Sequence, residues 1–302
     1  MIKYLFLLCS IILFSCVETK KENSSLRVSI LRGPSAIAFA EWMIHPPVID
    51  GKQAIVSIVD SPEIIRSMLI KEETEIAVLP MISAVNLYNK GVSYQLAGCP
   101  IWGTLYLVEN GAAHNDSSLS IFGAGTTPDI LTRYYLSRHA NNKYQLNYAF
   151  STPLEILQAL IAGRVNRAVL SEPFLSIALA KDSTLRIIAD LNGQQSHKGF
   201  AQTAVMFHPS LATKRSTIDS LLERSCSFAN NSPHEAIQIL EEKKIFAPKT
   251  LTPESIQRCK IDYQTAAEIK EGLPAFLNLI NEYEPKSIGG RLPDDGFISD
   301  RQ

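Results

Sequence analysis

Short apolar runs alternate with amphipathic stretches along this chain, and a proline stands between the two in a unit that recurs six times. The runs and their prolines are 28–31 with Pro34, 55–59 with Pro62, 76–79 with Pro80, 119–122 with Pro128, 146–149 with Pro153, and 167–170 with Pro173. Proline fits the first turn of a helix because its φ angle is already helical and its missing N–H has no helical partner there. Each unit therefore predicts a short strand followed by a helix that begins at the proline.

The stretches after the prolines have the spacing of amphipathic helices. The residues on one helical stripe are Ala36, Ile37, Ala40, Met43 and Ile44 in the first unit and Ile64, Ile65, Met68 and Leu69 in the second. In the fifth unit, Thr152 and Glu155 have the spacing of a capping box, and Gly163 follows where the helix would end. Alternating strands and helices imply parallel sheets covered on both faces. Two sets of three units thus predict an α/β fold of two doubly wound lobes.

Two interruptions of this pattern predict where the chain crosses between the lobes. Residues 94–99 and 104–108 read as consecutive strands without a helix between them, and the polar segment 109–118 follows. A second crossing is expected near 199–207, before a mainly helical C-terminal region. The expected lobes are 26–109 plus 203–302 for lobe one and 110–202 for lobe two. We expect a ligand cleft between them.

The first residues differ from the rest of the chain. Lys3 is followed by the almost wholly apolar run 4–14, and the small Ser15 immediately precedes Cys16. This is the pattern of an export signal. The run is shorter than the roughly 20 residues that span a bilayer as a helix, which argues against a permanent transmembrane anchor. A buried core helix is the alternative to an export signal. The sequence therefore predicts a signal peptide over 1–15.

Residues 13–16, Leu-Phe-Ser-Cys, resemble a bacterial lipobox, in which the cysteine carries diacylglycerol. Cys9 fits this pattern less well because the bulky Leu8 precedes it. The resemblance implies that Cys16 is lipidated and that the polar segment 16–25 is a tether. The protein would then be exported and anchored by lipid, outside the cytoplasmic membrane or in the periplasm.

The composition is that of a folded protein with a small-molecule partner. The chain has 302 residues, of which 46% are hydrophobic and 20% charged, enough for two lobes or one large α/β domain. A formal net charge of −1 offers no basic patch for nucleic acid or for anionic lipid. We expect a monomer that does not bind nucleic acid.

Cysteine and histidine positions change this picture little. Beyond Cys16, the cysteines Cys99, Cys226 and Cys259 are odd in number, which argues against a dense disulfide framework. Buried free thiols are one interpretation, and a Cys226–Cys259 bridge is the other. The six histidines show no metal-ligand spacing, and no nucleophile elbow or P-loop is present in the sequence. We therefore expect no metal and no cofactor.

The glycine-containing segment 123–128 follows a predicted strand and opens a helix, as a dinucleotide-binding loop does. Pro128 stands where such a loop needs its third glycine, which argues against a dinucleotide. The helix start still offers backbone N–H groups and the hydroxyls of Thr126 and Thr127 to an anionic or carbonyl-bearing ligand. Plain helix capping by Thr127 is the alternative.

In open α/β sheets ligands bind beyond the carboxyl ends of the strands, so the loops after the strands predict the site. The predicted ligand-binding residues are Arg32, Ser35, Met81, Ile82, Ser83, Trp102, Thr126, Thr127, Thr152, Glu172 and Phe174. Arg32 can pair with an anion and Glu172 can accept from an amine, although a surface position and the helix dipole explain them equally well. Trp102 and Trp42 can stack on a flat solute, with core packing as the alternative.

Four segments, in this order, resemble a known family. They are 33–35, 79–91, 171–174 and 288–295, which begin Gly-Pro-Ser, Leu-Pro-Met, Ser-Glu-Pro and Ile-Gly-Gly. From about residue 26 to its end the chain is similar to periplasmic solute-binding proteins of the sulfonate, nitrate, taurine and thiamine-precursor type. The resemblance implies the type II periplasmic-binding-protein fold, a small-molecule solute, an ABC permease in the inner membrane as partner, and no catalysis.

Two other functions fit the same fold. One is an enzyme of the menaquinone-pathway or thiamine-pyrimidine type, and the other is a lipoprotein that senses rather than transports. Those enzymes work in the cytoplasm, so the predicted export signal favours a binding protein. The sequence leaves the solute open between an anionic and a heteroaromatic small molecule.

Overall fold

The protein is described here by a computed structural model that covers residues 25–111, 117–139, 144–193 and 199–298. The predicted signal peptide and Cys16 lie outside the described residues. Among the described helices, none is both long enough and apolar enough to cross a membrane.

Strands and helices alternate through most of the chain. The strands are β1 (Ser25–Leu31), β2 (Val48–Ile49), β3 (Lys52–Val59), β4 (Ile76–Pro80), β5 (Gln95–Ile101), β6 (Leu105–Glu109), β7 (Ser118–Ser120), β8 (Gln145–Asn147), β9 (Arg167–Ser171), β10 (Arg186–Asp190), β11 (Thr203–Phe207) and β12 (Ile261–Thr265). The α-helices are α1 (Pro34–Ala38), α2 (Pro62–Ile70), α3 (Met81–Asn89), α4 (Thr127–His139), α5 (Pro153–Ile161), α6 (Phe174–Lys181), α7 (Arg215–Asn231), α8 (Pro233–Glu242), α9 (Pro253–Arg258) and α10 (Leu273–Tyr283). Short 3-10 helices cover Glu41–Met43, Pro209–Lys214, Pro285–Ile288 and Asp295–Phe297.

Within the described residues the strands form two sheets. One has seven strands in the order β12-β5-β11-β4-β1-β3-β2, and the other has five in the order β10-β6-β9-β7-β8. Helices pack on both sheets, and the region after β11 is mainly helical. This architecture confirms the predicted two-lobed α/β fold.

The six proline-marked units supply the parallel strands of both sheets. Strands β3, β1 and β4 pair in parallel in the first sheet, and β8, β7 and β9 do so in the second. The other described pairings are antiparallel. The expected parallel strands thus form the core of each sheet, and hairpins and returning strands extend that core with antiparallel neighbours.

The prolines mark helix starts as predicted. Pro34, Pro62 and Pro153 are the first residues of their helices, Pro128 is the second residue of α4, and Pro80 and Pro173 immediately precede α3 and α6. The predicted capping box is present: the Thr152 hydroxyl accepts from the Glu155 N–H, and the Glu155 carboxylate accepts from the Thr152 N–H. The chain therefore starts each helix with local chemistry that the sequence displays.

The first predicted helix is shorter than its apolar stripe. Helix α1 ends at Ala38, and Glu41–Met43 form a 3-10 turn instead. Trp42 is 1% exposed and packs edge-on against Phe39, with ring centroids 4.9 Å apart. Trp42 is thus a core residue, as the alternative reading of it held.

The chain passes between the sheets at two segments. The first crossing is 102–104, between β5 and β6, which is earlier than the predicted break at 109–118. The second crossing lies between β10 and β11. Strand β6 pairs with β9 and β10 of the second sheet, although residues 105–109 were expected in lobe one. The lobe limits 26–109 plus 203–302 and 110–202 stay a prediction.

Asn192 ties the two crossings together. This fully buried side chain accepts through Oδ1 from the backbone N–H groups of Thr104 and Leu105 at 2.8 and 2.9 Å. Its Nδ2 donates to the Leu105 carbonyl at 3.0 Å and to Asp190 Oδ1 at 2.6 Å, while Gln202 Nε2 donates to Oδ1 at 3.0 Å. Because both ends of the amide are satisfied, the side chain has a single favourable orientation.

Two glycines let the crossings touch. A Cβ on Gly103 would lie 2.6 Å from Asn192 Cγ, and one on Gly199 would lie 2.4 Å from the Trp102 carbonyl oxygen. Gly199 also has a φ of +108°, a backbone conformation that residues other than glycine rarely adopt. The contact between the crossings therefore depends on the absence of side chains at both positions.

The described cysteines are free thiols. Cys99, Cys226 and Cys259 are all buried, and no disulfide joins Cys226 to Cys259. Burial raises the pKa of the Cys99 thiol to about 12, so it stays protonated near neutral pH. Of the two interpretations of these residues, buried thiols is the one that the structure shows.

We predict that Gly103→Ala lowers the free energy of unfolding by about 1–3 kcal/mol, because the added methyl group overlaps an Asn192 side chain that its hydrogen bonds hold in place. Gly111→Ala is the matched control: Gly111 is exposed, nothing lies within 4 Å of its added Cβ, and its φ lies outside the left-handed region. The control should change stability by less than about 0.5 kcal/mol. Urea unfolding followed by circular dichroism measures both. Equal stability of the two variants would contradict a tight contact at the crossings.

Candidate functional site

A cavity of about 820 Å³ lies where the carboxyl ends of the six parallel strands meet. The lining residues that end or follow these strands include Leu31, Arg32, Asp60, Pro80, Ile82, Phe122, Thr126, Thr152, Ser171 and Glu172. Both sheets therefore contribute to one cleft, in the position that open α/β sheets use for ligands. Its volume is in the range of sites for small organic molecules.

Most of the predicted ligand-binding residues line this cavity. They are Arg32, Ser35, Ile82, Ser83, Thr126, Thr127, Thr152, Glu172 and Phe174. Met81 and Trp102 do not. Met81 is fully buried because the first residue of α3 points into the core rather than toward the cleft. Trp102 is 8% exposed and its Nε1 donates to the Asp262 carbonyl at 2.7 Å, so its ring belongs to the packing beside the crossing.

Arg32 already has partners within the protein. Its Nε forms an ion pair with Asp60, and its NH1 donates to the Ile245 carbonyl at 2.5 Å. Ile245 and the next two residues, Phe246 and Ala247, also line the cavity. The guanidinium therefore holds the loop between α8 and α9 against the cleft.

The charge of Glu172 is balanced by an arginine that precedes a strand of the first sheet. Its side chain is fully buried, and Oε1 accepts from Arg258 Nε at 2.5 Å and from Ser176 Oγ at 3.0 Å. Oε2 accepts from the Ser176 N–H at 3.1 Å. Arg258 ends α9, just before β12 of the first sheet, whereas Glu172 follows β9 of the second. The carboxylate thus links the two halves through a charge pair.

The start of α4 also carries its own counter-charge. The Gly125 N–H donates to Asp129 Oδ2 at 2.8 Å, and Asp129 forms an ion pair with Arg133 at 3.0 Å. The Thr126 hydroxyl donates to the Gly123 carbonyl at 2.5 Å. Because a buried carboxylate of the protein already lies at this positive helix end, the helix dipole would stabilise an anionic ligand there less than the sequence predicts.

Ser35 and Ser83 are among the cleft residues whose hydroxyls have no partner within the described part of the protein. Within the described residues, the side chains of Ser35 and Ser83 make no hydrogen bond to the protein, and both line the cavity. Thr152, by contrast, uses its hydroxyl to cap α5. Ser35 and Ser83 are therefore free to donate to or accept from a solute.

Several lining residues were missed by the sequence prediction. Phe246 and Thr250 come from the loop after α8, far along the chain from the strand ends, and no sequence signal brings them to the cleft. Arg66 lies one turn inside α2, beyond the loop that the strand-end rule selects. Phe122 is the last residue of a predicted strand, so the strand-end rule would select it if the rule included the final residue of each strand. Among the described residues, no group of three or more His, Cys, Asp or Glu side chains is placed to hold a metal ion.

Neither the protein-family models nor the curated protein sequences contain a match to this chain. Solved structures do match it. A crystal structure of an ABC transporter from Parabacteroides distasonis is 57% identical over 92% of this chain and 100% of that chain, with a TM-score of 0.89. The ligand-binding component of an ABC-type import system from Staphylococcus aureus, with zinc bound, is 11% identical over 91% of this chain and 96% of that chain, with a TM-score of 0.67. The periplasmic aliphatic sulphonate binding protein of Escherichia coli is 12% identical over 92% of this chain and 95% of that chain, with a TM-score of 0.62. The last two show similarity of fold.

We predict that Arg258→Ala lowers the free energy of unfolding by about 3 kcal/mol, because it leaves the buried Glu172 carboxylate without a cation. Adding Glu172→Gln should restore part of this loss, since the amide carries no charge. Arg164, which is exposed and makes no ion pair within the described residues, is the control, and Arg164→Ala should change stability by less than about 0.5 kcal/mol. Guanidinium chloride unfolding provides the measurement. An Arg258→Ala protein as stable as the control would mean that Glu172 is neutralised in another way.

Proposed function

Because this chain belongs to the periplasmic solute-binding proteins of ABC transporters, we propose that it captures a small solute in the cleft and delivers it to a permease in the membrane. The observation that carries this proposal is a single cavity lined by strand ends from both sheets. A solute there contacts both halves at once, so binding favours a closed arrangement of the two sheets about the crossings.

The solute that we propose is an anionic or heteroaromatic organic molecule. The Escherichia coli neighbour binds aliphatic sulphonates, but it shares only the fold with this chain. In this protein the support comes from the cleft itself, where the open hydroxyls of Ser35 and Ser83 lie among apolar side chains such as Ile82 and Phe174. A few polar groups on apolar walls orient an organic solute.

The proposal includes export and a lipid anchor. It rests on the N-terminal pattern of Lys3, the apolar run 4–14 and Ser15 before Cys16. The periplasmic neighbours agree with an exported protein. Lipidation of Cys16 would hold a monomer close to its permease at the membrane surface, which shortens the path of the captured solute.

We further propose that the protein binds its solute without changing it. An enzyme on this fold is the alternative, and Glu172 is one of the acidic residues that line the cavity. Its carboxylate is held by Arg258 and Ser176, which favours a structural role over acid–base chemistry.

We predict that native mass spectrometry of the purified protein detects one bound small molecule. With that compound, Ser83→Ala and Thr126→Ala should each weaken binding about 3–10-fold, because each removes a hydroxyl from one side of the cleft. The Thr126 hydroxyl donates to the Gly123 carbonyl and is left to accept from a solute. Ser183→Ala changes an exposed serine away from the cavity and serves as the control. Isothermal titration calorimetry measures the affinities. Unchanged affinity in both cleft variants would place the solute elsewhere.

We also predict that Cys16→Ser abolishes lipid attachment, so that the protein is released from membranes or retains its signal peptide. Cys9→Ser should leave attachment intact, since a bulky leucine precedes Cys9. Metabolic labelling with a palmitate analogue, followed by membrane fractionation, compares the two variants. Failure to label the unchanged protein would contradict the anchor.

A further inference from the structure

Arg66 is the lining cation of the cleft that lacks a carboxylate partner within the described residues. The other lining arginine, Arg32, forms an ion pair with Asp60. The Arg66 side chain is half-buried, and its NH2 donates to Asn86 Oδ1 at a distance of 3.4 Å. A guanidinium with one long hydrogen bond to a neutral group keeps most of its donors available.

Asn86 directs this guanidinium rather than neutralising it. Its Nδ2 donates to the Ser287 carbonyl at 3.0 Å, which turns its Oδ1 toward Arg66. Asn86 is 8% exposed, and Ser287 lines the cavity. The C-terminal segment therefore fixes an amide that orients the arginine, and within the described residues no carboxylate forms an ion pair with it.

The nearest acidic candidates are occupied elsewhere. Glu63 lies one turn before Arg66 on α2 and also lines the cavity. Its carboxylate accepts from the Ser61 hydroxyl at 2.5 Å, and this hydrogen bond is the main cause of its lowered pKa. The charge of Arg66 also lowers this pKa, although the two side chains form no ion pair within the described residues. Asp60 is held by Arg32. Both acids thus sit at the start of α2, where the helix dipole stabilises them, and Arg66 stays available to a ligand.

The remainder of the cavity suits an apolar body. Phe122 precedes α4, Phe174 begins α6, and Phe246 lies in the loop after α8, so three aromatic rings reach the cleft from three separate segments. A small inorganic anion would occupy about the space of one or two water molecules, ~30–60 Å³, and would leave these rings uncovered. Water excluded by an apolar solute would also strengthen the attraction between its charge and Arg66.

We propose that the solute is an organic acid with a ring-bearing apolar body, whose carboxylate or sulfonate binds Arg66 while the body lies against Phe122, Phe174 and Phe246. This inference rests on the proposed solute-binding function of the same cavity. It narrows the solute to amphiphilic anions and excludes both inorganic anions and neutral heteroaromatic compounds.

The test uses four probes in isothermal titration calorimetry: 4-phenylbutyrate, its neutral amide 4-phenylbutanamide, the ring-free butyrate, and 3-phenylpropane-1-sulfonate. We expect the phenyl-bearing acids to bind at least ~10-fold more tightly than the amide, because a charge-assisted hydrogen bond is lost in the amide. They should exceed butyrate by a similar factor, ~10-fold or more, because butyrate buries no ring. The two acid probes distinguish carboxylate from sulfonate recognition.

The variants locate the effect. Arg66→Gln should remove the preference for acid over amide and leave the affinity for the amide unchanged, whereas Arg66→Lys should keep part of the preference. Arg164→Gln is the matched control and should behave as the unchanged protein. Unfolding midpoints show whether Arg66→Gln remains folded, and Arg66→Lys provides the comparison if it does not.

Equal binding of acid and amide, a preference that persists in Arg66→Gln, or binding of none of the probes would overturn the inference. Native mass spectrometry separates this failure from failure of the proposed function. A neutral or inorganic compound bound in the cleft would overturn the amphiphilic anion and leave solute capture standing. The absence of any compound in the cleft, together with no probe binding, would overturn both.

Discussion

The buried amide of Asn192 is the contact on which the arrangement of this protein depends. It bonds to the first crossing through Thr104 and Leu105 and to the second through Asp190 and Gln202, so two chain segments between the sheets act as one. Loss of the amide would leave the backbone N–H groups of Thr104 and Leu105 without this partner, and an unsatisfied buried donor costs more than the hydrogen bond contributes. The amide therefore helps to hold the two sheets so that the carboxyl ends of their parallel strands meet at one cleft.

Acidic side chains in and near the cleft form ion pairs with other residues of the protein. Glu172 pairs with Arg258, and Asp129 pairs with Arg133 at the start of α4. Burying a charge requires such a partner, because desolvation of an isolated ion is expensive. The groups left for a solute are hydroxyls, aromatic faces and the guanidinium of Arg66, and this economy of polar contacts is typical of sites that select among organic molecules.

The sequence reveals the parts of this protein that local chemistry determines. Prolines at helix starts and the Thr152 capping box act over a few residues, so the six strand–helix units could be predicted. Most of the predicted site residues line the cavity because they follow the strands of these units. The misses follow from long-range packing. Met81 and Trp102 are near the cleft in sequence but turn into the core, while Phe246 reaches the cleft from a distant loop. Which strands share a sheet depends on pairing between remote segments, so the position of the first crossing could not be predicted from β6 alone.

The loop between α8 and α9 has an evolutionary consequence. It forms one wall of the cleft but contributes no strand to either sheet, and Arg32 holds it through the carbonyl of Ile245. That hydrogen bond uses backbone rather than a particular side chain, so substitutions at Phe246 or Ala247 can reshape the wall without loosening its attachment. Loops on a rigid scaffold tolerate such change far better than the strands beneath them. Substitutions in this short segment among descendants of one ancestor would give a set of binding proteins with the same two sheets and different solutes.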